Sequence, residues 1–295
     1  MTSVSVIIPA KNESGAIGQV VDKVCHTLPD AEIIVVDDGS TDDTGPIAEA
    51  AGARVVRHPY SMGNGAAIKS GARAAKGSVF VFMDGDGQHD PADIPRLLRR
   101  LDEGYDLIVG ARQRGSQASV GRGLANTFYN RLSSYMTGQQ IEDLTSGFRA
   151  VRGAKFKEFM SLLPNGFSYP TTSTMAFFRA GYSVGYEPID VAKRVGTSHI
   201  SLAKDGLRFL LIIFKIGSLY SPLKLFVPIS FLTFMTGLGY YMFTFFDQGR
   251  FTNMSGLLFT TSVLIFLMGL VSEQITQLMY RDSALDRSSG DNSVE

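Results

Sequence analysis

The chain has 295 residues with 28 basic side chains against 28 acidic ones, so it carries no net field of the kind that recruits nucleic acid. Its one cysteine, Cys25, excludes an internal disulfide and a cysteine-rich zinc site, and His26, His58, His89 and His199 are spread too widely to predict a histidine metal cluster. Hydrophobic residues amount to 44% overall but crowd into the last quarter, so the two ends of the chain need separate readings.

An apolar, β-rich run at 4–9 opens the chain, followed by a helical stretch at 14–28 and a second strand at 32–37. A helix at 41–51 has Ser40 or Thr41 as its cap, and a short strand at 54–58 precedes an alanine-rich helix at 66–75. A fourth strand at 78–83, a helix at 93–101 after Pro91 and a fifth strand at 106–110 complete the pattern. This alternation predicts an α/β fold with an open, mostly parallel, Rossmann-like sheet. No Gly-x-Gly-x-x-Gly follows the first strand, which argues against a plain dinucleotide-cofactor fold.

Ligands of such sheets bind beyond the carboxyl ends of the strands. Three polar loops fall on that rim: Pro9-Ala10-Lys11-Asn12-Glu13, Asp37-Asp38-Gly39-Ser40, and Asp84-Gly85-Asp86-Gly87-Gln88. In the third, two carboxylates two residues apart and an amide oxygen suit one hard cation, Mg²⁺ or Mn²⁺, that shares its remaining coordination with substrate phosphates and water. The competing reading takes Asp and Gly there as turn formers only.

Residues 225–246 and 251–272 contain no charge, and each is long enough to cross a bilayer core of about 30 Å. Only Asp247, Gln248, Gly249 and Arg250 separate them, which predicts a tight hairpin. Lys193, Arg194, Lys204, Arg208, Lys215 and Lys224 precede the first span, so the positive-inside rule puts that flank, the large N-terminal region and both termini in the cytoplasm of a multi-pass inner-membrane protein. The N-terminus has neither a basic n-region nor a cleavage pattern, and export of the first 200 residues is not expected. Glu273 is expected at the membrane interface. Between 201 and 221, Leu202, Leu207, Phe209, Leu210, Leu211, Ile213 and Phe214 alternate with Lys204, Asp205, Arg208 and Lys215. That pattern reads as an amphipathic helix, lying in the interface plane or packed on the soluble domain. The expected organisation is a domain at 1–200, the amphipathic helix at 201–221, a transmembrane hairpin at 222–280 and a disordered polar tail at 281–295. Thr236-Gly237-Leu238-Gly239 offers a small-residue face compatible with a homo-oligomer.

Together the Pro9–Glu13 loop, the run Val35-Val36-Asp37-Asp38-Gly39-Ser40-Thr41-Asp42 and the Asp84-x-Asp86-x-Gln88 turn resemble the inverting family-2 glycosyltransferases with a GT-A fold. The run Asp143-Leu144-Thr145-Ser146-Gly147-Phe148-Arg149 and the two-span hairpin narrow the resemblance to the polyprenyl-phosphate sugar synthases, the dolichyl- and undecaprenyl-phosphate enzymes. The resemblance implies a nucleotide-sugar donor, a polyprenyl-phosphate acceptor and a divalent metal. It assigns Pro9, Lys11, Glu13, Val36, Asp38, Asp84 and Gly85 to the nucleotide, and Asp86 and Gln88, with Asp84, to the metal. It assigns Arg112, Arg122, Arg194, His199 and Ser146 to phosphates and acceptor, with Asp84, Asp86 and Arg112 as the catalytic group. Relatives often carry a lysine where this chain has His199, a group that titrates near neutrality. A phosphomonoester is largely ionised at neutral pH, its second pKa being about 6, so no general base is expected. Arg114 and Arg131 join Arg112 and Arg122 as cations able to bring two phosphates together. Two alternatives stand beside this reading. A non-catalytic membrane scaffold would need the acidic turn to have decayed, and a processive polysaccharide synthase would bring a Gln-x-x-Arg-Trp motif that a chain without tryptophan lacks.

Overall fold

The computed structural model describes residues 3–112, 120–166, 168–191 and 221–290. The chain divides into two compact units, Met1–Ile200 and Ser201–Glu295.

The first unit is built on one sheet of strands β1 (Val4–Ala10), β2 (Glu32–Asp37), β3 (Arg54–Arg57), β4 (Val79–Phe82), β5 (Leu107–Arg112), β6 (Arg149–Arg152) and β7 (Val184–Ile189), in the order β3-β2-β1-β4-β6-β5-β7. All neighbours pair parallel except β6, which runs antiparallel between β4 and β5. Helices α1 (Ile17–Thr27), α2 (Thr44–Ala50), α3 (Asn64–Ala74), α4 (Ile94–Asp102), α5 (Val120–Thr137), α6 (Gly153–Glu158) and α7 (Tyr169–Arg179) complete the unit. The expected strands and helices are all present within about a turn of their expected ends.

Sequence periodicity explains the layers. In β4 every residue is buried, as in a strand covered on both faces. Val79 and Val81 join the core that holds Val20, Val21 and Val24 of α1 and Ile94 and Leu97 of α4. Phe80 and Phe82 point the other way, with ring centroids 6.4 and 4.7 Å from Phe156, and Phe82 lies 6.0 Å from Tyr169. The outermost strand, β3, protects its edge with Arg54 and Arg57. With β1 between β2 and β4, the loops leaving all three open on one rim.

The second unit contains α8 (Pro222–Gln248) and α9 (Asn253–Gly290). Pro222–Asp247 and Asn253–Leu278 are long and apolar enough to cross a membrane, and only 11% and 17% of their apolar windows are buried. Phe231, Leu232 and Phe246 stand 62%, 68% and 79% exposed, a surface made for hydrocarbon rather than for the core of a soluble protein. The helices are joined by a reciprocal pair in which Ser230 Oγ donates to the Ser262 carbonyl (2.9 Å) and Ser262 Oγ donates to the Ser230 carbonyl (3.0 Å). The backbone stays helical through Gly290, so residues 281–290, expected as the start of a disordered tail, are helical. The expected amphipathic helix lies outside the described residues up to 220.

Candidate active site

The rim is assembled by backbone bonding between loops. Asn12 takes a left-handed backbone (φ 55°), which turns the loop after β1 towards the loop after β2. The amides of Asn12, Glu13 and Ser14 donate to Ser40 Oγ (3.0 Å), Thr44 Oγ1 (2.9 Å) and Asp42 Oδ2 (3.2 Å), and Asn12 Oδ1 accepts from Thr41 N (2.8 Å). The slight burial of Asp42 would raise its carboxyl, but hydrogen bonds from Thr44 and Ser14 win and bring it down to about 2. Lys11 stands exposed on this wall, and Pro9 and Glu13 are half-buried beside it. Val36, expected at the nucleotide, is fully buried, paired in the sheet between β1 and β3 and within reach of a Cβ at Gly71 of α3.

Asp38 is buried and saturated. Its carboxylate meets His58 Nδ1 (2.7 Å) and accepts from Ser61 Oγ (2.8 Å) and the amides of Met62 (2.8 Å) and Gly63 (2.9 Å). Burial alone would raise this carboxyl, yet the bonds from His58, Met62, Ser61 and Gly63 hold it below the ordinary range. His58 Nε2 lies 2.9 Å from Ser70 Oγ on α3, completing a braced column that fixes loop 58–63. That loop runs into α3, whose first amides are bonded to protein as well: Gly65 N donates to the Gly166 carbonyl (3.1 Å) and Ala66 N to the Asn165 carbonyl (2.9 Å). A Cβ at Gly65 would sit 1.9 Å from the Pro164 carbonyl oxygen, so only glycine permits this approach.

The acidic turn after β4 is open by contrast. The Asp84 side chain is 38% exposed, and Asp86 and Gln88 are half-buried. Gln88 N donates to Asp86 Oδ1 (3.1 Å), which shapes the turn. A Cβ at Gly147 would lie 2.9 Å from Asp84 Oδ2, so the glycine of the 143–149 run lets that loop pass against the carboxylate. His89 is buried and stacked on Phe148, with centroids 5.1 Å apart and planes at 17°, and its Nδ1 lies 3.9 Å from Asp84 Oδ2.

Two arginines hold the floor below. Arg112, at the end of β5, pairs bidentately with the buried Asp143 (2.7 and 2.9 Å) and donates to Thr145 Oγ1 (2.5 Å). Burial pushes the Asp143 carboxyl up, but the Arg112 bonds and charge hold it below the usual carboxylate range. Arg149 is fully buried on neutral oxygens: the Ser146 carbonyl, the Pro170 carbonyl (3.0 Å), Ser173 Oγ (2.8 Å) and Thr174 Oγ1 (3.2 Å). The charge of Asp84 is felt by both guanidinium groups. Ser146 Oγ is buried with no hydrogen-bond partner among the described residues.

Among the expected site residues, Asp84, Gly85, Asp86, Gln88, Arg112 and Ser146 therefore gather at the ends of β4 and β5 and the start of β6. Pro9, Lys11, Glu13 and Asp38 line the β1–β2 side. Arg112, expected near the phosphates, is bonded to Asp143 and Thr145. Arg122 lies on α5, and Arg114, Arg194 and His199 lie outside the described residues. Sequence reasoning gave no role to His58, His89, Asp143 or Arg149, because the partners of His58 and Asp143 lie 12 to 31 positions away, the ring stacked on His89 is that of the distant Phe148, just ahead of β6, and Arg149 is held by carbonyls and hydroxyls that carry no sequence signature. As metal donors, Asp84, Asp86 and Gln88 form an oxygen set at the mouth of a cation-lined floor. Among the described residues no three His, Cys, Asp or Glu side chains converge to hold an ion alone. Such a partial oxygen set fits Mg²⁺ or Mn²⁺ completed by substrate phosphate and water.

Residues 5–160 match the family model for glycosyl transferase family 2. The chain belongs to that family. Residues 221–278 of the transferase match the GtrB C-terminal hairpin, and its seven-stranded unit is a GT-A fold. Similar proteins include glycosyltransferase AglJ of Haloferax volcanii, 29% identical over 94% of each chain. Another is the polyprenol monophosphomannose synthase of Mycolicibacterium smegmatis, 32% identical over 66% of the transferase and 80% of that protein. Glucosyl-3-phosphoglycerate synthase from Mycobacterium tuberculosis, in complex with Mn²⁺, UDP and phosphoglyceric acid, superposes with a TM-score of 0.58 at 27% identity, covering 74% of the transferase and 78% of that chain.

Proposed function

We propose that the transferase moves one sugar from a nucleotide-sugar donor to a polyprenyl phosphate at the cytoplasmic face of the membrane. A UDP-hexose is the favoured donor, with GDP-mannose as the alternative. The reading rests on the joining, in one chain, of a half-exposed acidic turn on a GT-A rim and a membrane hairpin. The polyprenol acceptor of the Mycolicibacterium relative and the Mn²⁺ and UDP in the glucosyl-3-phosphoglycerate synthase complex support it.

The loops after β1 and β2 would take the nucleoside, with Lys11 and Glu13 on the exposed wall. Asp84, Asp86 and Gln88 would hold Mg²⁺ or Mn²⁺, whose charge neutralises the departing diphosphate. Arg112 and Arg149 are fixed in advance, so their positive potential requires no reorganisation as charge develops. An oxygen of the lipid phosphate bonds to the anomeric carbon as the bond from that carbon to the diphosphate breaks, and the bonding pair leaves with the nucleoside diphosphate. A single displacement inverts the anomeric centre, converting an α-linked donor into a β-linked lipid product. Since the attacking oxygen is already ionised, the chain has to orient it rather than deprotonate it. Ser146 and Arg122 are assigned to that phosphate, with Arg194 and His199 of the later basic run. The basic residues ahead of the first span in the sequence support, by the positive-inside rule, a cytoplasmic catalytic unit and cytoplasmic termini.

The test is label transfer by purified protein with polyprenyl phosphate, Mn²⁺ or Mg²⁺, and a panel of UDP- and GDP-sugars. Label entering the organic phase with one donor, and lost with EDTA, is the expected result. Nucleotide binding without transfer from any donor to any polyprenyl phosphate overturns the acceptor assignment. Neither binding nor transfer restores the scaffold.

A further inference from the structure

Conspicuous in the acidic turn is His89, which has no place in the chemistry above. Its side chain is 7% exposed, its ring is stacked on the fully buried Phe148, and its Nδ1 has no hydrogen-bond partner among the described residues. Burying a ring nitrogen without a partner carries a desolvation penalty. Packing alone does not call for that nitrogen, because a phenyl ring would fill the same slot against Phe148 without it. The nitrogen faces Asp84 Oδ2 at 3.9 Å, about 1 Å beyond hydrogen-bonding distance. The same oxygen lies 2.9 Å from where a Cβ at Gly147 would sit, so Asp84 Oδ2 has a glycine close by, which leaves it room, and the imidazole nitrogen just beyond bonding reach. Contacts of this kind are often long before substrate binds and tighten in the loaded complex.

We propose that His89 is a positioning residue for Asp84. When donor and metal bind, Nδ1–H donates to Asp84 Oδ2, which aims the carboxylate at the cation and leaves its other oxygen for coordination. Buried partners that orient a ligating carboxylate typically matter 10–100-fold in metal affinity. The stack on Phe148 fixes the ring plane, so that Asp84 adjusts to the histidine and not the reverse. This inference rests on the metal reading of Asp84, Asp86 and Gln88.

Two substitutions separate the nitrogen from the ring. His89→Phe keeps the stack and removes the donor; His89→Asn removes the stack and keeps an N–H near the Nδ1 position. The measurement is Mn²⁺ binding to the full-length protein in detergent, with UDP and, separately, GDP present, read from the paramagnetic resonance of free Mn²⁺. Mn²⁺ binding to H89F is expected to weaken by about tenfold or more, and binding to H89N to stay within about threefold of wild type. The melting temperature is expected in the opposite order, with H89F the more stable of the two. Wild-type Mn²⁺ affinity in H89F, or weaker binding in H89N than in H89F, overturns the positioning role while the metal reading stands. No Mn²⁺ binding by the wild-type protein with either nucleotide overturns both.

Discussion

The turns after β2 and β4 look alike as sequence, each placing acidic residues and glycine at the carboxyl end of a buried strand. Their structures differ in kind. Asp38 is 4% exposed and surrounded by donors on His58, Ser61, Met62 and Gly63, so it serves as a post around which loop 58–63 is folded. Asp84 and Asp86 remain partly open above a floor whose cations are already fixed. Burial therefore separates the two turns where residue type does not.

The largest expected effect comes from the open turn. Asp86→Ala should reduce sugar transfer about 10³-fold or more, while moving the melting temperature by no more than about 3 °C. Normal turnover in that variant would remove the turn from the chemistry. Asp38→Ala should do the reverse. It removes the common partner of four donors, of which the His58 ring is buried, and should destabilise the unit by about 3 kcal/mol, lowering the melting temperature by roughly 10 °C. An unchanged melt would mean that loop 58–63 stands without its post. Arg112→Lys tests the floor: the charge survives but the bidentate fork on Asp143 does not, and a loss of about 2 kcal/mol in a denaturant titration is expected. A stability equal to wild type would show the fork to be dispensable.

The smallest effect is in acid. Folded Asp42 takes up its proton only near pH 2, and Asp38 and Asp143 also lie below their usual range, whereas in the unfolded chain such groups protonate near 3.9. Between those values the unfolded state binds more protons, so stability present above about pH 4 is lost as the pH falls towards 2. Melting curves from pH 5 downwards should show a progressive decline. Asp42 lies on the surface, where solvent screens its share, so replacing it with Asn should flatten the decline only slightly.

The alternation that gave β1 to β5 and α1 to α4 was legible because each segment is bounded by turn residues and buried on a regular period. Beyond residue 112 that legibility ends. Strand β6 is only Arg-Ala-Val-Arg, charged at both ends, and its pairing with β4 and β5 is set by tertiary contact. Helix α7 reads as a polar run, yet Thr171, Thr172, Ser173 and Thr174 are all buried, two of them on Arg149. The hairpin was plain, because the absence of charge over a bilayer's length survives any folding. In the site, the oxygen donors were readable from local spacing, while the residues that hold or orient them required the three-dimensional arrangement.

The reciprocal serine pair in the hairpin has a consequence for how the anchor adapts to bilayers of different thickness. Each residue added to a helix rotates all later positions by about 100°. One residue inserted between Ser230 and the tip would swing that hydroxyl out of the seam and into lipid, where its bond to Ser262 is lost. The arms between the pair and the tip can therefore lengthen only by near-whole turns, in step with each other, and the same holds on the other side as far as Gly269, which packs against Phe226 and Leu223; only the helix beyond that contact is free to grow one residue at a time. The anchor is built to be tuned from its open end.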